Sequence, residues 1–125
     1  QASLSGTIRI ESETTMTTNV PLEISVQDLH ELRTSGAVHT VLDIREVQEV
    51  EMVSLEGALH IPMNTIPENL DQLPKDGTLV IMCHHGPRSG SVTAWLRDQG
   101  YDNATNLAGG IHQWAAEIDP AVGTY

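Results

Sequence analysis

Phenylalanine does not occur in these 125 residues, and the aromatic set is limited to Trp95, Trp114, Tyr101 and Tyr125. A core built around stacked rings is thereby excluded, and Val, Ile, Leu, Ala and Met must fill the interior. Cations are nearly as scarce. Six Lys and Arg stand against seventeen Asp and Glu, for a formal net charge of −11. A nucleic-acid binder needs a basic face, which so few cations cannot supply, so nucleic acid is not an expected partner. Cysteine occurs once, at position 83. That excludes an intramolecular disulfide and any C-x-x-C pair for zinc or dithiol exchange, and it suits a reducing compartment. No apolar run approaches the roughly 18–20 residues of a membrane helix. The opening QASLSGTIRIESETT also lacks the basic start and apolar run of a secretory signal. The expectation is a soluble, cytoplasmic protein with no membrane contact.

What is present fits one domain. The chain is long enough for one hydrophobic core and short for two, and its 39% hydrophobic content argues against wholesale disorder. Residues 1–19 are Ser/Thr-rich without apolar periodicity and are expected to form a flexible tail. Met16 reads as a natural initiator, with the stretch before it an upstream extension or an appended remnant. Residues 20–125 are then the single folded domain.

From Val20 onward, strand and helix patterns alternate. Leu22 to Ile24 reads as a short strand. Ser25 with Asp28 three residues on forms a capping box for a helix with the stripe Val26, Leu29 and Leu32, ended by Gly36. Thr40 to Ile44 is a β-branched run apolar on both faces, as a buried parallel strand requires. Glu46 to Met52 reads as a short acidic helix, Ala58 to Ile61 as a strand stopped by Pro62, and Ile66 to Leu73 as one or two helical turns. Thr78 to Met82 is the strongest strand, and Cys83 stands at its carboxyl end. A helix follows from about Arg88 to Gln99, with Val92, Trp95 and Leu96 as its apolar face and Gly100 as its stop. Ala104 to Leu107 is a weaker strand, Gly109-Gly110 a tight turn, and Ile111 to Ile118 a last helix. Alternation with short connections implies an α/β fold with a parallel sheet covered on both faces.

The informative segment is Cys83-His84-His85-Gly86-Pro87-Arg88-Ser89. It joins the end of a buried strand to a helix, where open parallel sheets place their ligand sites. A loop curled about Cys83 directs backbone N–H groups at the sulfur, and the helix N-terminus adds positive potential. Both favour the thiolate nucleophile. Gly86 permits the curl, Pro87 suits helix entry, and Arg88 sets a guanidinium near the cradle, able to hold a carboxylate or an anionic substrate. Such a cradle stabilises either a persulfide or an oxyanion. Phosphate-ester cleavage and arsenate reduction therefore stand as alternatives to sulfur transfer, as does a non-catalytic interaction module. The four residues between Cys83 and Arg88 suit a ring closed on one extra sulfur better than on a tetrahedral oxyanion. No cofactor is called for.

Other residues carry plainer expectations. His84 and His85 are neighbours in a loop, where two side chains rarely converge on one ion. Histidines 30, 39, 60 and 112 show no i, i+4 ligand spacing with them, so no metal is expected. The pair instead adds partial positive charge as the pH falls. Trp95 and Trp114 read as core packing, and Glu46, Glu49 and Glu51 as a solvated helix face. Asp43 is either a strand-end carboxylate satisfied by nearby N–H groups or a site residue.

Four segments taken together resemble the rhodanese family. Cys83-x-x-Gly86-x-Arg88-Ser89, with His84-His85 as its filling, is similar to the rhodanese active-site loop. Leu42-Asp43-Ile44-Arg45-Glu46 resembles the D-V-R-E segment, and Gly57-Ala58-Leu59-His60-Ile61-Pro62 resembles G-A-x-x-I-P. Leu107-Ala108-Gly109-Gly110-Ile111 with Trp114 is similar to L-x-G-G-x-x-x-W. They run in order from about residue 23 to the end. The chain departs where the family often has G-H-I, with Val53-Ser54-Leu55-Glu56, and at Val47, where Pro is common.

The resemblance implies a five-stranded parallel sheet flanked by helices, and a sulfurtransferase working through a Cys83 persulfide. The donor would be thiosulfate or a persulfide, the acceptor a thiol, on a small molecule or a protein, or cyanide. By position it implies Cys83 as nucleophile, residues 84–88 as cradle, and Asp43, Arg45 and Ser89 as support. An acidic chain disfavours thiosulfate, so a protein persulfide is the expected donor.

Overall fold

The computed structural model of the chain describes residues 20–125; the tail expected over residues 1–19 lies outside them. Five strands are present: β1 (Glu23–Ile24), β2 (His39–Asp43), β3 (Leu59–His60), β4 (Thr78–Met82) and β5 (Ala104–Leu107). They form one parallel sheet in the order β1-β5-β4-β2-β3. The helices are α1 (Val26–Ser35), α2 (Val47–Met52), α3 (Pro87–Asp98) and α4 (Gly110–Glu117). The expected α/β class and five-stranded parallel sheet are both observed. No helix among the described residues is long and apolar enough to cross a membrane.

Side-chain alternation along β4 divides the core. Leu79, Ile81 and Cys83 point to one face, with Leu42 and Ile44 of the β2 segment, and are covered by Ile66, Val92, Leu96 and Tyr101. Val80 and Met82 point to the other, with Val41, and are covered by Val26 and Leu29 of α1 and by Ile111 and Trp114 of α4. Successive residues of a strand must face opposite ways, so a central strand buried on both sides reads as an unbroken apolar run. Each such side chain taken from water contributes about 1.5–3 kcal/mol. Cys83, one step beyond β4, inherits the face of Leu79 and Ile81, and that face is the one α3 covers.

Local chemistry sets the helix ends. The Ser25 hydroxyl accepts from Asp28 N–H and the Asp28 carboxylate accepts from Ser25 N–H, both at 3.1 Å, so the capping box forms as expected. Gly36 ends α1 in the left-handed conformation at φ 80°. The turns expected over residues 66–73 are a 3-10 segment, Met63–Gln72, interrupted at Asn69. Pro67 lies within it and has no N–H for an α-helical ladder. Expectation and structure part at Trp95. Val92 and Leu96 are buried, whereas Trp95 is 36% exposed and with Met63, Ile66 and Pro67 lines an apolar groove of about 150 Å³. Trp114 is core, as expected.

Candidate active site

Cys83 is fully buried, and its sulfur faces the first turn of α3. Two backbone amides converge on it: Gly86 N–H donates to Sγ at 3.1 Å and Ser89 N–H at 3.4 Å. Their orientation follows from Gly86, whose φ of 123° reverses the chain in a conformation that side chains disfavour. Pro87 then opens α3, where its missing N–H costs nothing. The loop's outer side is fixed by α4. Ile111 N–H donates to Cys83 O at 3.0 Å and His112 N–H to His84 O at 3.1 Å. Gly110, at φ 63°, makes that approach possible, because a Cβ there would strike both carbonyl groups.

The Ser89 hydroxyl has one proton and three acceptors in range: Cys83 Sγ at 3.2 Å, Gly86 O at 3.0 Å and Asn106 Oδ1 at 2.5 Å. Asn106 directs its amide nitrogen to the Glu23 carboxylate at 3.0 Å, which leaves Oδ1 to accept from Ser89. The shortest contact takes the proton, so the donors aimed at sulfur are the two amides. Asn106 and Glu23 extend the hydrogen-bond network around Cys83, and the sequence reading missed both. Neither carries a motif; β5, beside β4, brings in Asn106, and the edge strand β1 brings in Glu23.

The two arginines expected near the site differ. Arg45 and Asp43 form a fully buried pair, with Nη2 to Oδ2 at 2.7 Å and Nε to Oδ1 at 2.9 Å. Arg45 also donates to Tyr125 Oη at 3.0 Å and to Val53 O at 2.9 Å. Burial works against its charge, but the bonds to Asp43 and Tyr125 outweigh it and raise its pKa. Arg88 lies at the rim, its side chain 38% exposed, and holds Glu49 bidentately at 2.9 Å on both oxygens. That bond holds the Glu49 carboxyl down to about 2. Glu49, expected on a solvated face, is therefore a partner of Arg88 and also accepts from Tyr125 Oη at 2.9 Å. Nothing in a run of acidic helix residues distinguishes it. Glu46 and Glu51 are exposed as expected.

The histidines come together in a way that spacing does not reveal. The His84 and His85 rings stand 3.9 Å apart, and His112 lies 4.8 Å from His85 and 5.7 Å from His84. His84 stacks on Tyr125 at 3.9 Å and 9°. Burial first, then the neighbouring His85 and His112, lowers the pKa of His84. His85 and Pro87 are exposed, His84 and Arg88 half-buried, and Gly86 and Ser89 buried.

The Rhodanese-like domain family matches residues 25–117. The chain is 40% identical over 82 residues to a sulfurtransferase of Allochromatium vinosum, covering 66% of this chain and 77% of that protein. It is 34% identical over 93 residues to the thiosulfate sulfurtransferase GlpE of Ectopseudomonas mendocina, covering 74% and 84%. It spans only 26% of the longer adenylyltransferase/sulfurtransferase proteins that it also matches. Among solved structures, a rhodanese-like domain protein from Staphylococcus aureus superposes with a TM-score of 0.72 at 30% identity, covering 82% of this chain and 97% of that one. With the parallel sheet, the Cys83 loop and these relatives in agreement, the chain belongs to the rhodanese-like domain family of sulfurtransferases.

Proposed function

We infer that Cys83 carries a sulfane sulfur between a donor and a thiol acceptor, and the convergence of the Gly86 and Ser89 amides on its sulfur is the observation that carries this reading. The Cys83 thiolate attacks the outer sulfur of the donor, for instance a persulfide R–S–S⁻. A sulfur–sulfur bond forms to Cys83, the donor's own bond breaks, and R–S⁻ leaves with the electron pair. An acceptor thiolate then attacks the terminal sulfur of Cys83–S–S⁻, taking that atom and restoring the thiolate. No net oxidation occurs, and no metal or base is required. Amide donors and the α3 N-terminus stabilise the negative sulfur in both steps.

A persulfide is favoured over thiosulfate as donor on two grounds. The net charge of −11 repels a dianion at long range. The half-exposed guanidinium nearest the loop is already held by Glu49, so a dianion must displace that carboxylate before Arg88 can offset both of its charges. The fully buried sulfur also requires the rim to part before a donor can reach it, a gating step that precedes chemistry. A reducing compartment, the cytoplasm included, keeps the thiol available.

Turnover compared across three substrates tests the reading: a low-molecular-weight persulfide with a thiol acceptor, thiosulfate with cyanide, and an aryl phosphate. Sulfur transfer that depends on Cys83 and is faster from the persulfide is expected. Cys83-dependent release of phosphate without sulfur transfer would replace sulfur chemistry with oxyanion chemistry. No Cys83-dependent turnover of any of the three would leave an interaction module.

A further inference from the structure

The geometry points to a metal site on the outer side of the Cys83 loop: His84, His85 and His112 bind one divalent cation of the zinc class through three imidazole nitrogens, with a fourth position left to water. One ring nitrogen from each residue lies within 4.8 Å of the others. Around a tetrahedral ion with bonds of about 2.0–2.1 Å, nitrogens stand about 3.4 Å apart, so closure asks for movements of about an ångström. The set is built to make them. His84 is held by its stack on Tyr125, while His85 and His112 are exposed at the surface and able to rotate.

The juxtaposition is imposed by the fold. His112 is 28 positions from His84 in sequence, and the docking of α4 through Gly110 brings its backbone onto the His84 carbonyl. The rings do not explain one another. Among the described residues no hydrogen bond engages a ring nitrogen of the three, whereas His39 and His60 each bond a carbonyl. Nε2 of His84 is buried without a partner. Clustered imidazoles with lone pairs uncommitted are a donor set, and a set of nitrogens selects zinc, nickel or copper over magnesium or calcium. The acidity of the chain concentrates cations about it. The expectation of no metal rested on spacing along the chain, and α4 supplies the third ligand that spacing lacks.

Binding, read without turnover, tests the site independently of sulfur transfer. Tag-free chain is dialysed to equilibrium against zinc, and cobalt(II) is titrated as a spectroscopic probe. About one zinc per chain and a tetrahedral cobalt absorption band are expected. His112→Gln, an exposed change whose fold is checked by circular dichroism, should weaken binding about tenfold or more. His39→Gln and Cys83→Ser should leave it unchanged, and Cys83→Ser separates the site from the thiol. No saturable binding, binding indifferent to His112→Gln, or binding lost in Cys83→Ser would each overturn the proposal.

Discussion

The ends of β2 and β4 lie side by side, with Asp43 paired in register to Met82, yet they use their polar groups in opposite ways. Beyond β2 every strong donor is committed within the protein: Arg45 satisfies Asp43, Tyr125 and Val53 from a fully buried position. Beyond β4 two amides are aimed at a sulfur atom, a weak acceptor that leaves capacity for added negative charge. One strand end is closed chemistry, and the other keeps donors aimed at a thiol. The difference separates two arginines that a sequence motif places together. Arg45 has nothing left to offer a ligand, whereas Arg88 is half-exposed and held by a single carboxylate.

The sharpest way to break this comparison is Arg45→Met. It leaves the Asp43 carboxylate buried without its cation, and denaturant unfolding should show a loss of about 3–5 kcal/mol, with Asp43→Asn added to it recovering part of that loss. A change below about 1 kcal/mol would mean that the pair is not structural. Gly110→Ala comes next, because its Cβ meets the carbonyls of Cys83 and His84 at a positive φ. A loss of about 2 kcal/mol or more in thermal or chemical melts is expected, with sulfur transfer falling too. An unchanged protein would show that α4 does not set the loop.

At the open strand end, Arg88→Ala should leave the fold intact while lowering sulfur transfer by about ten- to a hundredfold. Unfolding instead would put Arg88 with Arg45. The smallest effect concerns Glu49, whose carboxyl is held down to about 2 by Arg88. A depressed carboxylate contributes stability that is present above its unfolded value and lost as pH falls. Wild type should therefore lose about 1–2 kcal/mol relative to Glu49→Gln between roughly pH 4.5 and 2, with Arg88's exposure limiting the size. Parallel pH profiles for the two proteins would contradict the coupling.

Much of this was legible because it is local. The run from Thr78 to Met82 announces a buried strand, and the residues from Cys83 to Ser89 lie in one stretch, so sequence alone places the thiol at a strand end before a helix. Ser25 and Asp28 likewise cap within one turn. What escaped depends on contacts across the fold. Glu49 reads as one acid among several until Arg88, 39 positions away, reaches it. Asn106 meets Ser89 only because β5 pairs with β4, Glu23 meets Asn106 only because β1 pairs with β5, and His112 joins His84 only because α4 docks on the loop. Trp95 follows a helical apolar spacing, yet α3 buries Val92 and Leu96 and leaves the ring at the edge. Periodicity names the face of a helix without fixing how far that face extends.

The claim that the Cys83 loop is a sulfur cradle is tested most directly by intact mass after incubation with a persulfide donor or with thiosulfate. A gain of about 32 Da, the mass of one sulfur atom, is expected on the wild-type chain, reversed by dithiothreitol and absent from Cys83→Ala. A wild-type chain that stays unmodified with both donors would contradict it.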